Sequence, residues 1–300
     1  MEPLVQDGLA ELGIDIGLVH DVSRLAGGAS GAGVFGLCLA GQPVVLKVST
    51  RPAAQGEAGR ELRFYRELAG RVPVRTPALL KGSSGAGRDV LLLDRAQPPS
   101  PARDWTAEDW LDVARQLGEL QASISLAELV EADWPDGDPG PPDVDARARL
   151  WHAAGVGDVT EALFTDLERL QQARTAPAPC LVHGDCHADN LLRDGAQRVW
   201  ADWQVVGPGH GPEDLALLWQ RAEYNGAVVP RSAFLATYAQ ARGLRVDADF
   251  EQAVTAAEID LLLMGWPAFL LERADTAREV LVRRLRTLAA TWNGSAANVS

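Results

Sequence analysis

Short apolar runs broken by glycine fill the stretch from Val22 to Ser49, VSRLAGGASGAGVFGLCLAGQPVVLKVS, and this punctuation predicts three consecutive strands with Ala-Gly-Gln at the second turn. The following stretch, GEAGRELRFYRELAG, sets Leu62, Tyr65 and Leu68 at helical spacing among charged residues, with Gly70 as the stop. A helix is expected there. RVPVRTPALLKG and RDVLLLDRA predict two further strands separated by the glycine-rich turn GSSGAG. Residues 1–95 thus read as a small sheet with one helix.

The proline-rich segment AQPPSPARD marks a change of pattern and is expected to connect to a second unit, residues 96–300. Beyond it, AEDWLDVARQLGELQASI and VTEALFTDLERLQQA carry apolar residues three and four apart, with DWPDGDPGPPD as a loop between them. From Glu213 onward the pattern is helical, with breaks at Asn225-Gly226, Pro230 and Gly243. The apolar run IDLLLMGWPAFLL is too short to span a bilayer and contains Asp260 and Pro267, so a buried helix is expected.

Composition narrows the functional classes. The 300 residues are 47% hydrophobic and 23% charged, which describes a folded chain with a sizeable core. A formal charge of -13 argues against nucleic acid or an anionic membrane surface as partner and mildly favours a cationic one. The start, MEPLVQDGLAELG, carries acids where a secretory leader carries bases, so export is not expected. Cys38, Cys180 and Cys186 form neither an even set nor a CxxC pair, which fits a reduced, cytoplasmic protein.

The densest polar chemistry lies in LVHGDCHADNLL, residues 181–192. His183, Asp185 and His187 alternate beside Cys186 and could ligate zinc, but His20, His152 and His210 form no second cluster to complete such a site. Phosphoryl transfer needs other parts: a carboxylate to accept the proton of a hydroxyl, an amide a few residues on to hold magnesium, and a second carboxylate from a following strand. Asp185, Asn190 and, in RVWADWQVVGPG, Asp202 meet those needs.

HGDxHxxN from His183 to Asn190, followed by Asp202-Trp203, Gly207-Pro208 and Asp214-Leu215-Ala216, resembles the aminoglycoside phosphotransferase and choline kinase family, distant relatives of protein kinases. The resemblance spans about Leu25 to Ala216 and is strongest from Leu181 onward. It implies an α+β, two-lobed protein-kinase-like fold: a small β-rich N-lobe, a larger, mostly helical C-lobe, and a nucleotide cleft between them. It implies ATP, or GTP, and Mg2+ as cofactors, with Asp185 as base and Asn190 and Asp202 on the metal.

Within the same resemblance, Lys47 of VVLKV matches the phosphate-contacting lysine, with Glu61 or, one turn earlier, Glu57 as its partner. Gly27, Gly28 and Ser30 are expected to bring backbone amides to the phosphates. The match of GAGVFG to a dinucleotide fingerprint fails, because a strand is expected where that fingerprint needs a helix. His183 and Asp214 are expected to order the catalytic loop, and Trp203 to pack. One departure stands out: LGELQAS places Gln121 where the family often shows a histidine.

The acceptor is expected to be a small-molecule hydroxyl, on an aminoglycoside or amino sugar, with Glu223, Glu258, Asp260 or Glu272 available to its ammonium groups. Choline or ethanolamine, homoserine and macrolides remain open as acceptors. A nucleotide-binding pseudokinase is the rival from another class.

Overall fold

The computed structural model describes residues 2–25, 32–50, 52–85, 88–135, 143–267 and 275–297, with backbone only at 52–58, 275–277 and 295–297. The chain forms two compact units, Met1–Ser100 with Asp189–Val206, and Pro101–Ala188 with Gly207–Ser300.

The first unit is built on a five-stranded antiparallel sheet, β1 (Val19–Arg24), β2 (Gly33–Leu39), β3 (Gln42–Ser49), β4 (Leu79–Gly85) and β5 (Arg88–Asp94), in the order β1-β2-β3-β5-β4. Strand β3 alternates as its sequence requires: Val44, Leu46 and Val48 are buried together with Phe35, Leu37, Val90 and Leu92. Helix α1 (Pro3–Glu11) closes that core with Val5 and Leu9. The sequence pattern had not singled it out, although Pro3 starts the helix and Val5, Leu9 and Leu12 recur at helical spacing. Helix α2 (Pro52–Glu67) packs against β3, β4 and β5, burying Leu62, Phe64 and Tyr65. Each such side chain contributes about 1.5–3 kcal/mol of burial free energy.

The fourth strand lies later than the pattern predicts. Pro73 and Pro77 cannot donate to a ladder, so residues 71–78 stay outside the sheet and β4 runs on through Gly82-Ser83-Ser84-Gly85, which had read as a turn. The same unit includes the hairpin of β6 and β7, here Leu191–Asp194 and Gln197–Trp200, attached to the sheet segment by the Gln97–Arg193 bridge and by Trp200 N–H donating to the Arg75 carbonyl at 2.8 Å.

The second unit is helical: α3 (Ala107–Ser123), α4 (Leu126–Glu131), α5 (Val144–Ala153), α6 (Gly157–Thr165), α7 (Leu167–Arg174), α8 (Pro212–Tyr224), α9 (Arg231–Arg242), α10 (Ala248–Asp260) and α11 (Asp275–Ala297). Between α7 and α8 two short antiparallel segments pair, Cys180–Val182 with Gly207–Gly209. A capping box opens α3, with Thr106 Oγ1 accepting from Asp109 N–H and the Asp109 carboxylate accepting from Thr106 N–H. Its buried stripe of Trp110, Val113, Ala114, Leu117, Gly118 and Leu120 ends on Gln121. The run expected as one buried helix divides: α10 stops at Asp260, and Leu261–Gly265 winds into a π-helical turn that buries Leu262 and Leu263.

Candidate active site

In the sheet unit, alternation along β3 puts Lys47 on the face opposite Leu46, where α2 packs. Its ammonium donates to both oxygens of Glu61, at 2.8 and 2.9 Å, and to Asp202 Oδ1 at 2.7 Å. Glu61 is 2% exposed and Asp202 stands 155 residues from Lys47, so tertiary structure builds this triad. Glu57 lies on the α2 segment without described side chains, and Gly27, Gly28 and Ser30 lie outside the described residues.

Asp202 is held in an unusual conformation, with φ 67° just past the hairpin. Next to it, fully buried Trp203 donates from Nε1 to the Trp200 carbonyl at 2.8 Å and stacks on Phe64, ring centroids 4.0 Å apart at 11°. Phe64 follows Glu61 by less than one helical turn. One aromatic stack therefore fixes the helix that carries Glu61 against the turn that carries Asp202.

Burial pulls the Lys47 pKa down, but Glu61 and then Asp202 outweigh it and hold it well above the ordinary lysine range. Burial pushes the Glu61 carboxyl up, opposed by Lys47 and by the Trp203 amide. Two carboxylates face one ammonium, so surplus negative charge remains. Asn190 is buried at the start of the hairpin, and its carbonyl accepts from Ala201 N–H at 2.9 Å, one residue before Asp202. These oxygen donors and the surplus charge suit a hard divalent cation such as magnesium. Among the described residues, no three His, Cys, Asp or Glu side chains converge on a metal position.

In the helical unit, the loop after Cys180–Val182 carries His183, Gly184 and Asp185. His183 is fully buried, and its Nδ1 accepts from Asp185 N–H at 3.3 Å, so the ring orders its own loop. His187 Nε2 lies 3.5 Å from Asp185 Oδ1. Asp214, in the first turn of α8, takes His183 N–H on Oδ2 and Gly184 N–H on Oδ1, both at 2.9 Å. Burial, then Glu213, pushes the Asp214 carboxyl up to about 7, against the pull of those amides and of Gln121. Burial pushes the Cys180 thiol up to about 12 and raises Cys186 as well, which leaves both as packed, unreactive groups.

The acids expected to meet a cationic acceptor are engaged by arginines. Arg231 reaches Glu223 from Nε at 2.8 Å and Glu258 from Nη1 at 2.8 Å, and Arg284 Nη2 reaches Glu258 at 2.6 Å. Asp260 lies 4.0 Å from Arg174, and Glu272 falls outside the described residues. Three residues at the site escaped the motif search: Phe64, Tyr238 and Arg242. A signal existed for Gln121, a polar residue at the end of an apolar helical stripe. None existed for Tyr238, which reaches Gln121 from 117 residues away, or for Arg242, which donates to Tyr238.

Known structures share this fold. A GDP complex of aminoglycoside 2'-phosphotransferase-IIIa superposes with a TM-score of 0.66 at 16% identity, covering 97% of this chain and 99% of that one. The apoenzyme of a macrolide 2'-phosphotransferase from Brachybacterium faecium gives 0.60 at 19% identity, over 94% and 96% of the two chains. A microcompartment-associated aminopropanol kinase gives 0.60 at 15%, over 98% and 97%. Comparison with curated proteins by sequence gives no match. The kinase-like fold, a β-rich N-terminal sheet with a mostly helical remainder, is therefore common to enzymes whose acceptors differ. The phosphotransferase enzyme family matches residues 21–254, most of the chain, and the protein belongs to that family.

Proposed function

We propose that the protein transfers the γ-phosphoryl group of ATP, with GTP as the alternative donor, to a hydroxyl of a small molecule. The observation that carries this reading is the Lys47–Glu61–Asp202 triad, a buried lysine held between two carboxylates that come from a helix and from a turn far along the chain. Lys47, fixed by Glu61, binds phosphate oxygens of the nucleotide. Asn190 and Asp202 hold magnesium, which when bound neutralises charge on the phosphates. Asp185 orients the acceptor hydroxyl and takes its proton as the oxygen attacks phosphorus, while the nucleoside diphosphate leaves with the bridging oxygen. Positioning and charge neutralisation supply most of the acceleration for so loose a transition state. The sheet unit is the nucleotide-binding part in this scheme, and the helical unit supplies the base and the acceptor contacts.

For the acceptor, an aminoglycoside or amino sugar is supported by the net charge of -13 and by several structural neighbours that are aminoglycoside phosphotransferases, one of them in a complex with GDP and kanamycin. That acceptor class would make the protein an antibiotic-resistance enzyme. One observation favours a second reading, a small alcohol without several positive charges: Glu223 and Glu258 already face Arg231 and Arg284. Incubation with ATP or GTP, magnesium and a panel of aminoglycosides, hexosamines, amino alcohols, homoserine and macrolides, with phosphorylated products read by mass spectrometry, tests both. Magnesium-dependent product is expected, and for an amino-sugar acceptor KM should rise with salt while kcat changes less. Nucleotide binding without product for any acceptor would support a pseudokinase instead.

A further inference from the structure

The Asp214 carboxylate accepts a third hydrogen bond, from Gln121 Nε2 at 2.9 Å, and this bond opens a chain of contacts that the reaction as described above does not use. Gln121 is 2% exposed, and its Oε1 accepts from the hydroxyl of fully buried Tyr238. The Tyr238 oxygen accepts in turn from Arg242 Nη1 at 2.7 Å. Arg242 also donates to the carbonyls of His210 and Ala178, both at 2.9 Å. Those carbonyls flank the paired segments Cys180–Val182 and Gly207–Gly209, from which the His183–Asp185 loop emerges.

Every bond in the chain points the same way: guanidinium to phenol, phenol to amide oxygen, amide nitrogen to carboxylate. Each group therefore polarises the next toward the Asp214 carboxyl oxygen that holds the loop. The arrangement suits a glutamine, since its amide offers one acceptor and two donors without changing charge. A glutamate would face Asp214 with a second carboxylate, and a leucine would take the acceptor from the Tyr238 hydroxyl and one of three donors from Asp214. Two glycines make room for the chain. Gly211, at φ 98°, would strike Arg242, Gln121 and Tyr238 with any side chain, and a Cβ on Gly118 would meet the Tyr238 carbonyl at 2.6 Å. Helices α3 and α9 approach closely around the relay and nowhere need a charge between Arg242 and Asp214.

We propose that Gln121, Tyr238 and Arg242 are positioning residues: through Asp214 they hold the His183 and Gly184 amides in place, and so set where Asp185 meets the acceptor. Helix α9 thereby acts on the catalytic loop without touching it. The kinetic part rests on the phosphotransferase reading; the structural part does not.

The test compares Tyr238→Phe and Gln121→Leu with the wild-type full chain by residue-resolved amide hydrogen exchange and by steady-state kinetics. Tyr238→Phe keeps the ring that stacks on Phe250, at 6.1 Å between centroids, and removes only the hydroxyl. In both variants, exchange at His183 and Gly184 should quicken about tenfold or more relative to the core amides of α3 and α9, the effect of unmaking one buried hydrogen bond. The kcat should fall by a similar factor with nucleotide KM unchanged. Gln121→His, whose neutral ring can both donate and accept, should restore protection and kcat at alkaline pH. Unaltered exchange at His183 and Gly184 in Tyr238→Phe, or quickened exchange spread evenly over the helical unit, would overturn the proposal whether or not Gln121→Leu folds. Because exchange is read without substrate, the positioning claim can fail while the phosphotransferase reading stands, and the reverse.

Discussion

The segment carrying Asp202 and the segment carrying Asp185 both follow a short strand, yet they are steadied by opposite means. Asp202 is reached directly by a charged partner, Lys47, and is backed by an aromatic stack. The loop of Asp185 is held through its backbone, by a carboxylate at the end of a relay whose middle members are neutral. The first arrangement leaves surplus charge and partial exposure at the place where phosphates and magnesium are proposed to bind. The second has its neutral members, Gln121 and Tyr238, buried and grips the loop by the His183 and Gly184 amides. A site that must meet a changing charge is built from charges, whereas one that must hold a register is built from directed hydrogen bonds.

Breaking the first arrangement has the largest expected effect. Lys47→Ala leaves Glu61 buried beside Asp202 with no cation, and should lower stability by about 3–5 kcal/mol in denaturant unfolding. The paired replacement Lys47→Met with Glu61→Leu should recover most of that loss, because it removes both buried charges together. Equal losses in the single and the paired variants would mean that the ion pair does not organise the sheet unit.

The second arrangement responds to pH rather than to charge deletion. With its carboxyl pushed up to about 7, folded Asp214 binds a proton more tightly than the unfolded chain does, so its contribution to stability is fullest below about pH 4 and is lost as pH rises toward 7. The loss should amount to about 2–4 kcal/mol across that window. Asp214→Asn should flatten this part of the stability profile while lowering the whole curve, since an amide cannot accept from all three donors. An unchanged slope in the variant would assign it to other groups.

The smallest effect sharpens the question of the acceptor. Glu223→Gln leaves Arg231 paired with Glu258 and should cost about 1 kcal/mol or less in stability. If Glu223 serves structure alone, KM for the best acceptor should not move. A rise in KM confined to cationic acceptors would return Glu223 to the acceptor site.

The contrast between the two arrangements also explains what the sequence disclosed. Asp185, Asn190 and Asp202 stood out because phosphoryl transfer demands those residue types in that order, and the family resemblance added Lys47, with Glu61 or Glu57 as its partner. The structure joins Lys47 to Glu61 and also to Asp202, a contact the pattern did not give, and anchors the His183–Gly184 amides on Asp214. Gln121 read only as a departure from a family pattern, because its role depends on Tyr238 and Arg242, and no local periodicity links α3 to α9. Helix α1 went unread for a similar reason: its apolar side has meaning only against the sheet that follows it. The displaced fourth strand was legible in principle, in Pro73 and Pro77, but apolar content outweighed them in the pattern.

The most direct measurement is the steady-state phosphoryl transfer of Asp185→Asn, with nucleotide affinity measured on the same preparation. Removing a general base should lower kcat by about 10² to 10⁴ while nucleotide affinity changes little. Near wild-type turnover in the variant would contradict the account, because it would leave the reaction without the residue to which the loop, Asp214 and the relay behind it all lead.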